Sequence, residues 1–288
     1  MQSVAVVTGG SGGMGLATAG ALGRDHHVVI ADLDEERLVT AIAALARDGV
    51  SATGLTADVT DRAAVQRLFA EAAALGPVAA VAHTAGVSPQ MGSSDLIVRV
   101  NALGTIHVTQ AALGVVAPGA GVVLVASLAA HMFPRVIVPR RHFRLADTDP
   151  ERMVRKLTAA ADRGPREVRS AFAYAISKSF VVHHASRNAA RFADRGARII
   201  SVSPGTFDTE MGRLEVKSGS DRMLDFAAIK RFGRPEEVAD LMAFCVSQRA
   251  GYLTGVDILL DGGTRAGMGL RELVQLARRT SELRGAGS

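Results

Sequence analysis

The reading of the fold turns on residues 4–22, VAVVTGGSGGMGLATAGAL. Residues 4–7 are an apolar run too short for a helix and stopped by glycine, which reads as a buried strand. A helical pattern runs from about Met14 to Arg24. Between them, five of the eight residues from Thr8 to Gly15 are glycine. Two registers fit: Gly10, Gly12 and Gly15 as G-x-G-x-x-G, or Gly9, Gly13 and Gly15 as T-G-x-x-x-G-x-G. In either register a glycine-rich turn carries a strand into a helix, where terminal N–H groups can hold a dinucleotide pyrophosphate. A triphosphate-binding P-loop needs Gly-Lys-Ser/Thr leading into the helix. Met14-Gly15-Leu16 stands there instead, which excludes an ATPase or GTPase.

Working outward, HVVIAD (27–32) predicts a second strand, and Glu35 to Arg47 a helix with Leu38, Ile42 and Leu45 on one face. ATGLTADV (52–59) suggests a third strand, and Asp61 opens a helix that spaces Val65, Leu68, Phe69 and Ala72 for burial. PVAAVAHTAG (77–86) is a fourth strand, followed by a long helix from about Asp95 to Val116. GVVLVAS (121–127), GARIISVSPG (196–205) and GVDILLDGG (255–263) complete seven. Strands alternating with helices predict right-handed crossovers and a parallel sheet covered on both faces. The expected fold is α/β: one doubly wound Rossmann-type domain with a seven-stranded parallel sheet over residues 1–265.

Two segments exceed that minimum. Residues about 131–170 are an insertion between the fifth strand and the next long helix. There Asp149 is an expected N-cap, Pro150 the first helical position, and Met153, Leu157 and Ala160 one face. Residues 266–288 form a basic tail with Leu270, Leu273, Val274 and Ala277 on one side, a face that needs its own core or another subunit.

Composition narrows the function classes. Of 288 residues, 48% are hydrophobic and 4% aromatic, so a large core packed through small side chains is available. The single cysteine, Cys245, excludes an internal disulfide and any cysteine-based metal cluster, and no metal site is expected. No stretch approaches the roughly 20 apolar residues of a membrane span, and no leader precedes the first strand, so a cytoplasmic protein without a membrane partner is expected. The formal net charge of +5 gathers in the middle of the chain and near the C-terminus. No basic run is interleaved with aromatics as a single-strand groove requires, so no nucleic-acid partner is expected.

Three features carry chemistry. Asp32 ends the second strand, 17 residues past Gly15, where a carboxylate can accept from both adenosine ribose hydroxyls and repel a 2′-phosphate. No Arg stands in the glycine loop or just after Asp32, where Leu33 and Asp34 follow; this favours NAD over NADP. YAISK places Tyr174 and Lys178 on one helical face, one turn apart. Ser127 closes the fifth strand, whose carboxyl end points into a ligand crevice, and Asn101 is a polar residue inside the long helix.

At this point the chain resembles the short-chain dehydrogenase/reductase family, over roughly residues 3 to 263. The resemblance rests on TGGSGGMG (8–15), Asp32, ADVTD (57–61), VNALGT (100–105), LVASLA (124–129), YAISK (174–178), VSPGTFDTEM (202–211) and LTGVDILLDGG (253–263), in that order. It selects the register with Gly9, Gly13 and Gly15; Gly10 and Gly12 then let the loop, with Ser11 and Met14, lie close to the pyrophosphate. It implies that Tyr174 is the general acid/base, Ser127 polarises the substrate oxygen, and Asn101 holds a relay water. Lys178 would bond the nicotinamide ribose and favour the phenolate of Tyr174, since an adjacent ammonium stabilises that anion. Asp58 and Val59 would meet the adenine, and Thr84, Ala85 and Gly86 the ribose region. Pro204, Gly205, Thr206 and Thr209 would hold the nicotinamide, and Leu33 would flank Asp32.

There are departures. Where the family usually shows N-N-A-G this chain has HTAG, so His83 and Thr84 replace both Asn, and His83 is expected to be a core residue. Ser127 and Tyr174 are 47 positions apart, the excess coming from the insertion. In that respect, and in AGVSPQ (85–90), the chain is most similar to the bacterial 3-alpha-hydroxysteroid dehydrogenase/carbonyl reductase branch. Val87, Met91, Leu128, Ala129, Met132, Phe133, Phe207, Met211, Leu214 and Met223 are candidates for an apolar substrate wall.

The expectation is an NAD-dependent alcohol dehydrogenase or ketone reductase acting on a hydrophobic secondary alcohol or ketone, steroid- or terpenoid-like. It would be a homodimer or homotetramer, with the insertion as a substrate lid that also alters the subunit interface. The alternatives are an NAD-sensing binding protein with little turnover, and a 3-oxoacyl-thioester reductase, which Asp32 disfavours.

Overall fold

The computed structural model describes residues 2–134, 136–216 and 220–269 of the 288. Most of the basic tail, with Leu270, Leu273, Val274 and Ala277, lies outside the described residues. Seven strands, β1 (Val4–Thr8), β2 (His27–Asp32), β3 (Ala52–Thr56), β4 (Val78–His83), β5 (Val116–Val125), β6 (Arg198–Pro204) and β7 (Asp257–Leu260), form one parallel sheet in the order β3-β2-β1-β4-β5-β6-β7. The order reverses beside β1, where the chain leaves β3 and returns as β4. That switch point opens a crevice at the strands' carboxyl ends.

The short β-branched runs suit strands buried on both faces, and the period of two divides each strand between two cores. On one side Val4 and Val6 of β1 pack with α3 (Arg62–Leu75), α5 (Gly104–Val115) and α7 (Arg169–Ala193). On the other, Ala5 and Val7 pack with α1 (Gly13–Leu22), α2 (Glu35–Arg47) and α9 (Pro235–Val246). Cys245 of α9 belongs to this second core, and burial raises its thiol pKa to about 11, in keeping with an unreactive thiol. Asp34 and Asp61 cap α2 and α3 by accepting from the N–H groups of Arg37 and Ala63.

Three elements differ from expectation. β5 begins at Val116 rather than Gly121, because the chain pairs with Val78, bulges through Gly119 in the left-handed region, and resumes at Gly121 opposite Ala80. The strand also ends at Val125, so Ser127 lies beyond it and caps the 3-10 turn Leu128–His131. The long helix is not continuous: α4 (Ser94–Val98) passes through a π turn, Arg99–Leu103, into α5. This run, Ser94–Val115, is in fact long and apolar enough to cross a membrane by length and composition, with mean hydropathy 1.2. It is nonetheless 61% buried within the protein and carries Asn101, Thr105 and Thr109 inside, which makes it a core helix.

The insertion builds a third core. Asp149 accepts from the Arg152 N–H, Pro150 opens α6 (Pro150–Ala161), and Met153, Leu157 and Ala161 are buried, with Ala160 at the edge. They pack with Val138 and Phe143 against Ile97 and Ile106 on one side and Ala173, Ile176 and Phe180 of α7 on the other. Arg99 bonds both Glu151 oxygens at 3.1 and 3.0 Å, tying α6 to the π turn. Residues 138–161 therefore clamp the α4–α7 face, a placement the lid expectation did not include.

Candidate active site

The glycine loop has the T-G-x-x-x-G-x-G register. Gly9 and Gly13 have φ of +70° and +51°, which disfavours any side chain, and a Cβ on Gly15 would overlap the Gly9 carbonyl and the Thr84 hydroxyl. Gly10 has a different reason from the expected one: a Cβ there would strike Ile30, so it serves contact with β2. Ser11, Gly12, Gly13 and Met14 line a crevice of about 370 Å³ at the switch point. Asp32, Leu33, Asp58, Val59, Thr84, Ala85 and Gly86 line it too, with Thr209 on the far wall. Pro204, Gly205 and Thr206 do not line this crevice, nor do Tyr174 and Lys178. Gly205 instead packs against Asp261, and the Thr206 carbonyl accepts from Gly233.

At the mouth, Asp32 Oδ2 accepts from the Ser11 N–H (3.2 Å) and hydroxyl (2.6 Å), while Oδ1 accepts from Leu33 N–H (2.8 Å). Arg37, which the sequence reading missed, also lines the crevice. A Cβ on Gly12 would stand 2.7 Å from its guanidinium, and it pairs with Glu210 of α8 (Glu210–Val216) at 3.0 Å. The signal was the N-cap: Asp34 at that position puts residue 37 in the first turn, beside the loop.

At the inner end, His83 and Thr84 replace the family's two Asn with different bonds. His83 Nδ1 is 2.7 Å from the Thr8 hydroxyl and Nε2 3.1 Å from that of Thr105, joining β1, β4 and α5. Complete burial, then the charge of Lys178 and His184, lowers its pKa to about 3, so it is a neutral core residue. The Thr84 hydroxyl donates to the Thr8 carbonyl at 2.7 Å.

The π turn presents Asn101 inward, a common use of such turns. Its Oδ1 accepts from Val87 N–H (2.9 Å), and its Nδ2 donates to the Val87 carbonyl (3.0 Å) and the Ser177 hydroxyl (3.2 Å). A Cβ on Gly86 would stand 3.1 Å from Asn101 Oδ1 and 3.3 Å from Lys178 Nζ, so these two groups stand just behind the Gly86 wall of the crevice. Lys178 is buried, donates to the Val125 carbonyl at 2.9 Å, and lies 5.8 Å from the centre of the half-buried Tyr174 ring. Ser127 follows Val125 by two residues, at the start of a turn packed on α7, where the Ser179 hydroxyl bonds the Ala130 carbonyl. Its Oγ accepts from Ala129 N–H, leaving the O–H to donate elsewhere.

A second omission is the pair holding that turn. His131 Nε2 donates to Asp257 of β7 at 2.9 Å, and the same carboxylate accepts from the Ser201 and Ser203 hydroxyls of β6. A lone carboxylate inside a strand was the available signal. Among the proposed wall residues, Phe207 proves to be core: it packs under Gly233, while Met91, Phe133 and Leu214 are exposed.

Comparison with known proteins gives a family. The pattern described as short chain dehydrogenase matches residues 3–138, and a second, described as Enoyl-(Acyl carrier protein) reductase, matches residues 155–265. Short-chain dehydrogenase/reductase bsc3 of Alternaria brassicicola is 29% identical over 274 residues, covering 92% of this chain and 96% of that protein. The 2-(S)-hydroxypropyl-CoM dehydrogenase 3 of Xanthobacter autotrophicus is 28% identical over 281 residues, covering 92% and 97%. Among solved structures, a short chain dehydrogenase from Burkholderia cenocepacia in complex with NADP superposes with a TM-score of 0.71 at 26% identity, covering 90% of this chain and 96% of that one. Since both patterns run through the sheet and helices that carry the side chains above, the chain belongs to the short-chain dehydrogenase/reductase family of NAD(P)-using oxidoreductases.

Proposed function

We propose that the protein interconverts a hydrophobic secondary alcohol and its ketone, with NAD as the preferred dinucleotide. The observation that carries the reading is the buried Lys178, fixed by the Val125 carbonyl one helical turn from Tyr174 and beside Asn101. The crevice suits a dinucleotide because side chains are absent along it: at the glycine loop, where a pyrophosphate would lie, a Cβ on Gly13 would protrude toward Thr209, and in the ribose region one on Gly86 would fill the space between Asn101 and Lys178. The bound nicotinamide would supply hydride exchange.

The remaining steps belong to this chain. Tyr174 takes the alcohol proton, or returns it to the ketone oxygen. The fixed ammonium of Lys178 stabilises the phenolate, which brings proton transfer closer to working pH. The Ser127 O–H donates to the substrate oxygen as charge grows there. Asn101 is held by Val87 and Ser177, and its Oδ1 keeps one lone pair for a relay water. Exposed Met91 and Leu214 on the crevice wall offer apolar contact to a bound molecule. The carboxylate of Asp32 at the ribose end supports NAD, whereas Arg37 is a specific feature that favours acceptance of a 2′-phosphate. A homo-oligomer is part of the same reading, supported by the family's common habit, and a cytoplasmic location is proposed alongside it.

The test is turnover of an alcohol and ketone panel with NAD(H) and NADP(H), with Tyr174→Phe beside it. Expected is NAD-dependent turnover that falls about 10²–10⁴-fold in Tyr174→Phe. Dinucleotide binding with no turnover across the panel would overturn the enzyme reading in favour of a binding protein. Higher kcat/KM with NADP, lost in Arg37→Ala, would reverse the cofactor assignment.

A further inference from the structure

Ten Lys or Arg and five Asp or Glu lie between residues 135 and 169, an excess equal to the formal charge of the whole chain. The active site uses none of it. The structure gathers part of this charge into a cleft of about 590 Å³ between the insertion and α7. Arg140, Arg141 and Arg144 come from the insertion, and Arg187 and Arg191 face them from α7. Among the described residues one carboxylate, Asp147, lines the cleft, and it is shared with Arg191 at 3.6 Å. The walls are rigidly joined: Phe143 is buried edge-on against Phe180 with ring centres 5.3 Å apart, and lies 5.4 Å from His183.

Like charges on two firmly packed elements repel across a shared space, and the repulsion is relieved when an anion fills it. His183, on the cleft wall, bears this out. Arg140 Nη2 lies 3.5 Å from its Nδ1, and the imidazole is held below its ordinary pKa first by burial and then by Arg140 and Arg187, with Asp147 opposing. Guanidinium groups arranged around a concavity suit phosphate, which they bind bidentately. The volume is that of a small-molecule site rather than an extended track.

We propose that this cleft binds a small molecule bearing at least two phosphoryl groups, at a site separate from the glycine-loop crevice and independent of the proposed turnover. Guanidinium groups stand on both walls, Arg140 on the insertion and Arg187 on α7, which suits linked phosphates better than a single one. The neighbouring groups that face His183 are Arg140 and Asp147 from the insertion and Arg187 and His184 from α7. Binding therefore adds negative charge beside an imidazole now surrounded by excess positive charge.

The test is calorimetric titration of the full-length protein with inorganic pyrophosphate at constant ionic strength, the crevice first blocked with saturating NAD or NADP. Expected is saturable one-site binding, at least tenfold weaker in Arg140→Gln/Arg187→Gln and unchanged in Arg67→Gln on α3. The His183 imidazole resonance should titrate at higher pH when pyrophosphate is present. Each single variant should weaken binding by a smaller factor, so the result does not rest on the double variant alone. No saturable binding, or equal binding to the double variant, overturns the proposal. So does a duplex oligonucleotide that binds tenfold tighter than pyrophosphate and loses that binding in the double variant, which would make the cleft a nucleic-acid surface.

Discussion

At the carboxyl ends of β1 and β4 the chain brings backbone against backbone; between residues 138 and 161 it brings side chain against side chain. The crevice depends on absent side chains, with Gly15 against the Gly9 carbonyl and Gly86 between Asn101 and Lys178. The insertion depends on what is present: Met153, Leu157 and Phe143 filling a core shared with Ile97, Ile106 and Phe180. One region spends its precision on a ligand-sized gap, the other on closing a gap. Changes in the first should therefore tell on chemistry, and changes in the second on stability. The two meet at α7, which carries Tyr174 and Lys178 along with the surface the insertion covers.

That contrast can be broken. The largest expected effect is Lys178→Met, which keeps the site filled but removes the buried charge. Turnover should fall at least about a hundredfold, and a loss of less than tenfold would separate Lys178 from the chemistry. Leu157→Ala should do the reverse, lowering unfolding free energy by about 2–5 kcal/mol in denaturant melts while dinucleotide affinity stays within about twofold. If affinity collapsed as well, the two regions would be one cooperative unit.

The pH dependence sharpens the division within the sheet. His83 and His184 both have folded-state pKa values of about 3 against an ordinary value of 6.5, chiefly from burial. The unfolded chain then binds more protons, so stability is full above about pH 6.5 and is lost as pH falls toward 3. Each histidine contributes a slope of up to about 1.4 kcal/mol per pH unit in that window. His83→Asn should remove one proton's worth of the slope, measurable as a flatter Tm-against-pH curve. The smallest expected change is Asp149→Ala, which removes the cap of α6 and should cost about 1 kcal/mol with no change in turnover.

Much of the fold was legible because local rules and tertiary needs agree. Asp61 and Asp149 cap the helices that the sequence has them open, and Asp34 does the same for α2. The glycine register became legible only through the resemblance carried by the later motifs, and the structure supplies its physical reason: Gly9 and Gly13 take backbone conformations few other residues tolerate. What escaped depends on contacts between distant segments. Arg37 reaches the crevice only once α2 is set against the glycine loop, and His131 meets Asp257 across 126 residues of chain. Periodicity placed Met153 and Leu157 on one face without saying what they would cover. Phe207 looked like a substrate contact because a large apolar residue after β6 carries no mark of the Gly233 backbone that covers it.

The π turn at Arg99–Leu103 has a consequence for how this chain could change. A helix tolerates an extra residue badly, since each one rotates everything beyond it by about 100°. Here the surplus is absorbed within a single turn, and the residue in that turn is Asn101. Deleting one residue from it would give a more regular helix with stronger hydrogen bonding, and would swing Asn101 away from Val87 and Ser177. In an evolutionary lineage the imperfection would persist only while the site it serves is under selection, so its loss by a one-codon deletion would mark a descendant that has abandoned the chemistry.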